Sequence, residues 1–207
     1  MKNKIDYSIY LLTDREMLVD TDIYTAVEDS IKGGTTLVQL REKDICTLEF
    51  YNIASKVKTV TDKYNVPLII NDRIDIALSI DAAGVHLGQS DMPASIARGI
   101  IGNDKIIGIS TSTLEEAQKA EKEGADYVGV GAMFPTTTKD DASAVSVHTL
   151  KEIKDNISIP VVAIGGITQM NIDLLKIANI DGVAVISDIL AKKCIKEATE
   201  KLVAAMK

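Results

Sequence analysis

Three side chains that can bind anions stand two residues apart in the sequence QLREK. They are Gln39, Arg41 and Lys43, and they follow or end an apolar run that begins at Thr36. Because successive side chains of a strand point to opposite faces, all three are predicted to share one face. An amide and two cations at a strand end can hold a phosphate or a diphosphate. The alternative is a structural ion pair with Glu42 or another buried acid, because buried charges are usually paired.

Two aspartates, Asp72 and Asp91, follow the next two apolar runs, and no histidine or cysteine is expected beside them at these strand ends. Carboxylate oxygens alone favour a hard cation such as Mg²⁺, shared with substrate phosphates, over zinc. The alternative is helix capping. Asp72 precedes IDIAL, and Asp91 stands just before Pro93 in a helix start signal.

The last third of the chain carries a second group of polar residues. The loop GAMFPTTTKDDAS holds three consecutive threonines followed by Lys139, which predicts either an anion clamp or a solvated loop. Gly165 and Gly166 in AIGGI allow close approach of the backbone to a ligand. Ser187 in AVISD is predicted to begin the last helix, whose N–H groups favour an anion. A second phosphate site is therefore expected here.

A nucleophile is missing from these patterns. His86 and His148 have no serine or cysteine arranged around them, and His86 is interpreted as a packed, hydrogen-bonded strand residue. The sequence contains no GxSxG, P-loop or GxGxxG motif. We expect a site that binds two phosphorylated ligands and a metal.

The elements that position these residues are short apolar runs separated by helical spacing. Helical periodicity is clear from Ile23 to Ile31 and again from Ile195 to Ala205. The candidate strands begin at Ser8, Thr36, Pro67, Gly84, Lys105, Asp126, Pro160 and Gly182. Such runs are typical of buried parallel strands.

Eight strand–helix units predict an α/β fold, a single (β/α)₈ TIM barrel that spans residues 1–207 as one catalytic domain. An open doubly wound sheet is the alternative, because the same alternation allows it. Closure is favoured because none of the runs resembles a polar edge strand. The unusual polar residues follow the strands, and in a barrel those ends converge on one rim.

Composition excludes several classes of protein. The 207 residues carry a net charge of −7, which argues against binding to nucleic acid or an anionic membrane. No stretch reaches the roughly 18 apolar residues of a membrane span, and the N-terminus lacks the pattern of a signal peptide. Two cysteines without metal spacing favour a reduced, cytoplasmic compartment. A homo-oligomer remains compatible with the sequence.

Several motifs, taken in order, resemble the thiamine-phosphate synthase family. They are YLLTD at Tyr10, QLREK at Gln39, LIINDR at Leu68, GVHLGQSDMP at Gly84, YVGVGAMFPTTTK at Tyr127, AIGGI at Ala163 and AVISDI at Ala184. The likeness covers nearly the whole chain. One departure is Ala132, which stands where the family usually has proline and removes no functional group.

The resemblance implies a transferase with Mg²⁺ as cofactor. Such an enzyme joins 4-amino-2-methyl-5-(diphosphooxymethyl)pyrimidine to 4-methyl-5-(2-phosphoethyl)thiazole and releases diphosphate. Carried over by position, the family's pyrimidine diphosphate site maps to Gln39, Leu40, Arg41, Glu42, Lys43, Asn71, Ser110 and Lys139. The thiazole phosphate site maps to Thr136, Thr137, Thr138, Gly166, Ile186 and Ser187. The metal site maps to Asp72 and Asp91.

Two other functions compete with this interpretation. A thiazole tautomerase paralogue has a similar fold but is expected to use a histidine in the loop after the fifth strand, where this chain has Ser110 and Thr111. A non-catalytic barrel that binds thiamine precursors is the other. Asp72, Asp91 and Lys139 argue against it, because binding without turnover needs no site for a leaving group.

Overall fold

The computed structural model describes residues 5–135 and 144–206, and within them eight parallel strands form a closed barrel. Each strand pairs with its neighbour in the chain, and the ring closes where Ile9 of the first strand pairs with Val183 of the last. The (β/α)₈ prediction is confirmed, and the open doubly wound alternative is wrong. The strands are β1 (Ile9–Leu12), β2 (Leu37–Leu40), β3 (Leu68–Asn71), β4 (Gly84–Leu87), β5 (Ile106–Thr111), β6 (Tyr127–Val130), β7 (Val161–Ile164) and β8 (Gly182–Val185).

Helices cover the outside of the barrel. The connection from β7 to β8 carries a 3₁₀ helix (Ile172–Ala178) where an α-helix is usual. No helix within the described ranges is long and apolar enough to cross a membrane. The α-helices are α1 (Ile23–Gly33), α2 (Thr47–Lys63), α3 (Ile74–Ser79), α4 (Ala94–Ile101), α5 (Leu114–Lys122), α6 (Val147–Asn156), α7 (Ser187–Leu190) and α8 (Ile195–Met206).

The strands are buried on both faces. Side chains such as Leu11 and Ile70 belong to the core between sheet and helices, whereas Tyr10 and Ile69 belong to the core inside the barrel. This alternation with a period of two residues follows from strand geometry. It decides which side chain at each strand end can reach the barrel mouth.

Two strands, β6 and β8, are each preceded by an aspartate that bonds to the neighbouring strand. Asp126 stands directly before β6, and its carboxylate accepts a hydrogen bond from the Ile107 N–H of β5 at 2.8 Å and pairs with Arg98. Asp181 stands before β8 and accepts from the Val161 N–H of β7 at 2.7 Å. Each aspartate therefore joins the amino end of its own strand to that of the preceding strand.

We predict that Asp126→Ala lowers the free energy of unfolding by about 1.5–3 kcal/mol, because it removes charge-assisted bonds to Arg98 and to the backbone. The Arg98 and Asp126 side chains are only 16% and 22% exposed. The matched control is Asp155→Ala, which breaks an exposed pair with Lys151 and should cost less than about 1 kcal/mol. Urea unfolding of both variants checks this, and equal losses would contradict it.

Candidate active site

A cavity of about 470 Å³ opens at the carboxyl ends of the strands. Its volume lies in the range usual for small-molecule sites. Every strand contributes at or just beyond its carboxyl end, from Leu12 of β1 round to Ala184 of β8. The expectation that the polar strand ends converge on one rim is confirmed. Most of the predicted site residues line this cavity: Gln39, Arg41, Lys43, Asn71, Asp72, Asp91, Ser110, Gly166, Ile186 and Ser187.

The end of β2 presents an amide and two cations to the cavity. Gln39 is buried inside the barrel, whereas Arg41 is half-buried and its backbone N–H donates to Thr13 Oγ1. Within the described ranges the Arg41 guanidinium has no acidic partner, whereas Lys43 Nζ lies 2.6 Å from Asp72 Oδ2. The predicted shared face is confirmed, and Arg41 brings to the cavity a positive charge that no described acidic residue pairs with.

The side chains of Leu40 and Glu42, which the resemblance also assigns to the diphosphate site, do not line the cavity. Leu40 packs in the core beneath the helices, as the alternation of the strand requires. Glu42 Oε2 accepts from Arg15 Nε at 2.8 Å, so its ion pair is not with its neighbours in QLREK. Burial raises the pKa of Glu42 above its ordinary value even beside this cation.

Asp72 and Asp91 lie close together in one wall of the cavity. Asp72 has a positive φ of 60°, and its N–H donates to the His86 carbonyl. Asp91 Oδ2 accepts from the Gly88 N–H at 2.7 Å. Burial raises the pKa of Asp91, and the nearby Asp72 carboxylate adds to the rise. Neither aspartate caps a helix.

The capping alternative is wrong for a local reason in each case. The residue that precedes α3 is Arg73, and the residue that precedes α4 is Pro93. Neither provides a side-chain hydrogen bond to its helix, and neither Asp72 nor Asp91 replaces it. The two carboxylates are therefore held at the cavity without a capping role.

The ends of β7 and β8 form the opposite wall. Gly166 has a φ of 62°, and a Cβ built there would lie 2.6 Å from the Pro135 carbonyl oxygen, so only glycine fits without displacement. Ser187 begins the four-residue α7 and not the last helix, so that prediction is corrected. A turn at residues 191–194 separates α7 from α8, which starts at Ile195. The predicted residues Thr136, Thr137, Thr138 and Lys139 lie outside the described residues.

Among the cavity residues that the sequence-based site omitted, His86 and Gln89 each form a side-chain hydrogen bond to Ser110. His86 is buried and hydrogen-bonded, as predicted, but it also lines the cavity, with Nε2 2.9 Å from Ser110 Oγ. Gln89 lines it too, and its amide donates to the Ser110 carbonyl at 2.7 Å. His86 is the register partner of Asn71 in the neighbouring strand β3, so both side chains point into the barrel, and this register is known only from the structure.

Comparisons with known proteins agree over nearly the whole chain. A family model described as "Thiamine monophosphate synthase" matches residues 9–189. A protein named thiamine-phosphate synthase from Clostridium tetani (strain Massachusetts / E88) is 57% identical over 203 residues, which cover 98% of this chain and 97% of that protein. One of the same name from Alkaliphilus oremlandii (strain OhILAs) is also 57% identical, with 98% and 97% covered. The solved thiamine phosphate pyrophosphorylase from Pyrococcus furiosus superposes with a TM-score of 0.90 at 38% identity, covering 97% of this chain and 96% of that one.

Proposed function

The chain belongs to the thiamine monophosphate synthase family, and we propose that it forms thiamine phosphate from the two substrates named above. The observation that carries this proposal is the 57% identity to proteins named thiamine-phosphate synthase over 98% of the chain. The reaction moves the pyrimidine methylene from diphosphate to the thiazole nitrogen. The protein is therefore a transferase of thiamine biosynthesis.

The pyrimidine diphosphate is proposed to bind along the ends of β2 to β5. Arg41 supports this assignment, because its half-buried guanidinium lines the cavity without an acidic partner in the described part of the chain. A guanidinium matches phosphate oxygens with two parallel N–H bonds. Lys43, Asn71 and Ser110 line the adjacent surface. Lys139 stays a predicted contact of the leaving diphosphate.

The thiazole phosphate is proposed to bind at the ends of β7 and β8. Gly166, Ile186 and Ser187 line that wall of the cavity. Gly165 and Gly166 stay the predicted points of close backbone approach, and a Cβ at either position would also clash with Ala132 or Pro135. The predicted contacts Thr136, Thr137 and Thr138 follow Pro135, which lies against Gly166.

No general base is required by the proposed chemistry. The thiazole nitrogen attacks with a free lone pair and has no proton to lose. The 4-amino group of the pyrimidine donates electron density to the methylene as diphosphate departs, which favours a dissociative displacement. The protein has two tasks: it neutralises charge on the leaving group, through Arg41 and Lys43, and it aligns two substrates at one mouth.

Mg²⁺ fits the donors that this cavity offers. Asp72 and Asp91 bring two neighbouring carboxylates to one wall, and among the described residues no histidine or cysteine joins them in a metal-ligand cluster. No group of three or more potential metal ligands occurs among the described residues. A site with two carboxylates is suited to Mg²⁺ that completes its shell with water and substrate phosphates. We propose that Asp72 and Asp91 hold the ion, which when bound would offset the negative charge of the diphosphate.

The two competing functions lack a supporting feature in this site. Ser110, Thr111 and Ser112 line the cavity at the carboxyl end of β5, where a tautomerase would need a histidine. A purely binding barrel would use Arg41 as the synthase does, so no feature of this site favours it over the synthase. We also propose a cytoplasmic location, supported by two exposed free cysteines, Cys46 and Cys194.

The direct experiment mixes the purified protein with both substrates and Mg²⁺. We expect thiamine phosphate and diphosphate in equal amounts, detected by mass spectrometry and by a coupled diphosphate assay. Controls omit one substrate at a time. Binding of both substrates without product would favour the non-catalytic barrel, and isomerisation of a thiazole alone would favour the tautomerase.

Arg41→Ala should weaken binding of the pyrimidine diphosphate by about 10- to 100-fold, because a lost charge-assisted contact costs about 1.5–3 kcal/mol. Affinity for the thiazole phosphate should change less than about threefold, since that ligand binds the opposite wall. Arg73→Ala removes the same charge from a side chain that pairs with exposed Asp75 outside the cavity, and serves as control. Titration calorimetry with each ligand measures these two affinities. Equal losses for both ligands would refute the assignment.

Asp72→Asn and Asp91→Asn should keep a melting temperature near that of the parent protein but need far more Mg²⁺ for turnover. The amide is isosteric and still accepts hydrogen bonds, whereas Mg²⁺ depends on carboxylate charge to offset its dehydration. EDTA should abolish activity of the parent protein. Asp75→Asn, outside the cavity, is the control. A variant with full activity at the parent Mg²⁺ requirement removes its residue from the metal site.

A further inference from the structure

Five polar side chains form one continuous hydrogen-bonded chain inside the barrel. Gln39 Nε2 lies 2.8 Å from Tyr10 Oη, which lies 2.8 Å from Tyr127 Oη. Tyr127 Oη lies 2.8 Å from His86 Nδ1, and His86 Nε2 lies 2.9 Å from Ser110 Oγ. Gln39, Tyr10 and Tyr127 are at most 1% exposed. The two ends, Gln39 and Ser110, both line the cavity, so the chain connects two of the proposed pyrimidine contacts.

The strands leave space for this chain at two glycines. A Cβ on Gly108 would lie 2.1 Å from Tyr127 Cζ, so any larger residue would displace the phenol ring. A Cβ on Gly129 would lie 3.2 Å from His86 Cε1. The inner faces of β5 and β6 therefore carry glycine where the rings of Tyr127 and His86 need room, so the barrel interior accommodates the hydrogen-bonded chain.

The orientation of the Gln39 amide, together with the number of protons, sets the direction of every bond in the chain. Each phenol has one proton to donate, and burial raises the pKa of both Tyr10 and Tyr127 well above the ordinary value, so neither phenol ionises near neutral pH. Gln39 donates to Tyr10, so the Tyr10 proton goes to the Tyr127 oxygen. The Tyr127 proton then goes to His86 Nδ1, which places the imidazole proton on Nε2. A doubly protonated imidazole would leave the Tyr127 proton without an acceptor in the chain.

The two ends of the chain consequently present opposite hydrogen-bonding groups to the cavity, a donor at one end and an acceptor at the other. Ser110 Oγ accepts from His86 Nε2–H and has its own hydroxyl proton left to donate. Gln39 uses an N–H on Tyr10 and has its carbonyl oxygen left to accept. A 4-aminopyrimidine carries an amino donor beside a ring-nitrogen acceptor, which complements this pair. A 4-oxopyrimidine carries the reverse pattern.

We propose that Tyr10, Tyr127 and His86 are positioning residues, which fix Gln39 as acceptor and Ser110 as donor and thereby select an aminopyrimidine over its oxo analogue. The choice of ligand rests on the proposed function, whereas the direction of the hydrogen bonds does not. Reversing the chain requires all of its bonds to invert together. Mismatched ligands leave buried polar groups unpaired, which is how polar sites discriminate strongly between analogues.

The direction of the chain is measured by NMR on protein labelled with ¹⁵N-histidine. The sequence has two histidines, so a His148→Gln variant assigns the signals of His86. We expect an unprotonated Nδ1 and a protonated Nε2. A proton on Nδ1, or on both nitrogens, overturns the proposal. Because this measurement needs no turnover, it stands even if the parent protein forms no thiamine phosphate, which would be the failure of the proposed function.

Selectivity is measured by calorimetric binding of the aminopyrimidine diphosphate and of its 4-oxo analogue. We expect the parent protein to prefer the amino form by at least about 100-fold. Tyr127→Phe and Tyr10→Phe each remove one link and should reduce that ratio by about tenfold or more. The control is Tyr7→Phe, whose ring lies 4.9 Å from that of Tyr127 but whose hydroxyl is outside the chain. Its ratio should stay within about twofold of the parent value.

Two results would overturn the selectivity part of the proposal. One is an equal loss of affinity for both pyrimidines with the ratio intact, which a merely structural role for the phenols predicts. The other is a parent protein without preference between the two ligands. If Tyr127→Phe fails to fold, Tyr10→Phe breaks the same chain one link away, and the histidine measurement on the parent protein decides the direction independently.

Discussion

Pairing of β1 with β8 is the constraint on which the other features of this molecule depend. An open sheet would place its strand ends along a line, whereas closure gathers all eight around one mouth. Closure also removes both edges and gives every strand an inner face. Because side chains alternate, Gln39 and Ser110 must then point into the barrel while Leu40 and Ile109 point to the helices. The same strand register therefore determines which residues form the site and which form the core.

The two ends of the barrel use charge differently. At the amino end, Asp126 and Asp181 bond backbone N–H groups of the preceding strands, and Arg98 and Lys154 compensate them. Those charges are satisfied within the protein. At the carboxyl end Arg41 has no acidic partner in the described part of the chain. An acidic protein with a net charge of −7 can therefore still offer a local anion site.

The fold was predictable because eight apolar runs reveal eight strands, and each observed strand starts within one residue of its predicted start. The site followed from strand ends and alternation. Helix boundaries were harder: the turn at residues 191–194 that separates α7 from α8 contains no glycine or proline to mark it, so Ser187 was assigned to the wrong helix. Capping of α3 and α4 was likewise ambiguous, because Asp72 stands only two residues before Ile74, where α3 starts, and Asp91 only three before Ala94, where α4 starts. The single 1–207 domain and the oligomeric state remain predictions.

His86 shows why polar interiors are the least predictable part of such a barrel. Inward positions are usually filled by branched apolar residues, and a lone histidine in a strand gives no pattern to read. The role of His86 becomes visible only in the structure, where the ring of Tyr127 extends across the barrel into the space above Gly108. A polar group buried there is costly unless every partner is present. The complete chain from Gln39 to Ser110 meets that condition, so the same bonds that make the interior stable also set what the mouth of the barrel can recognise.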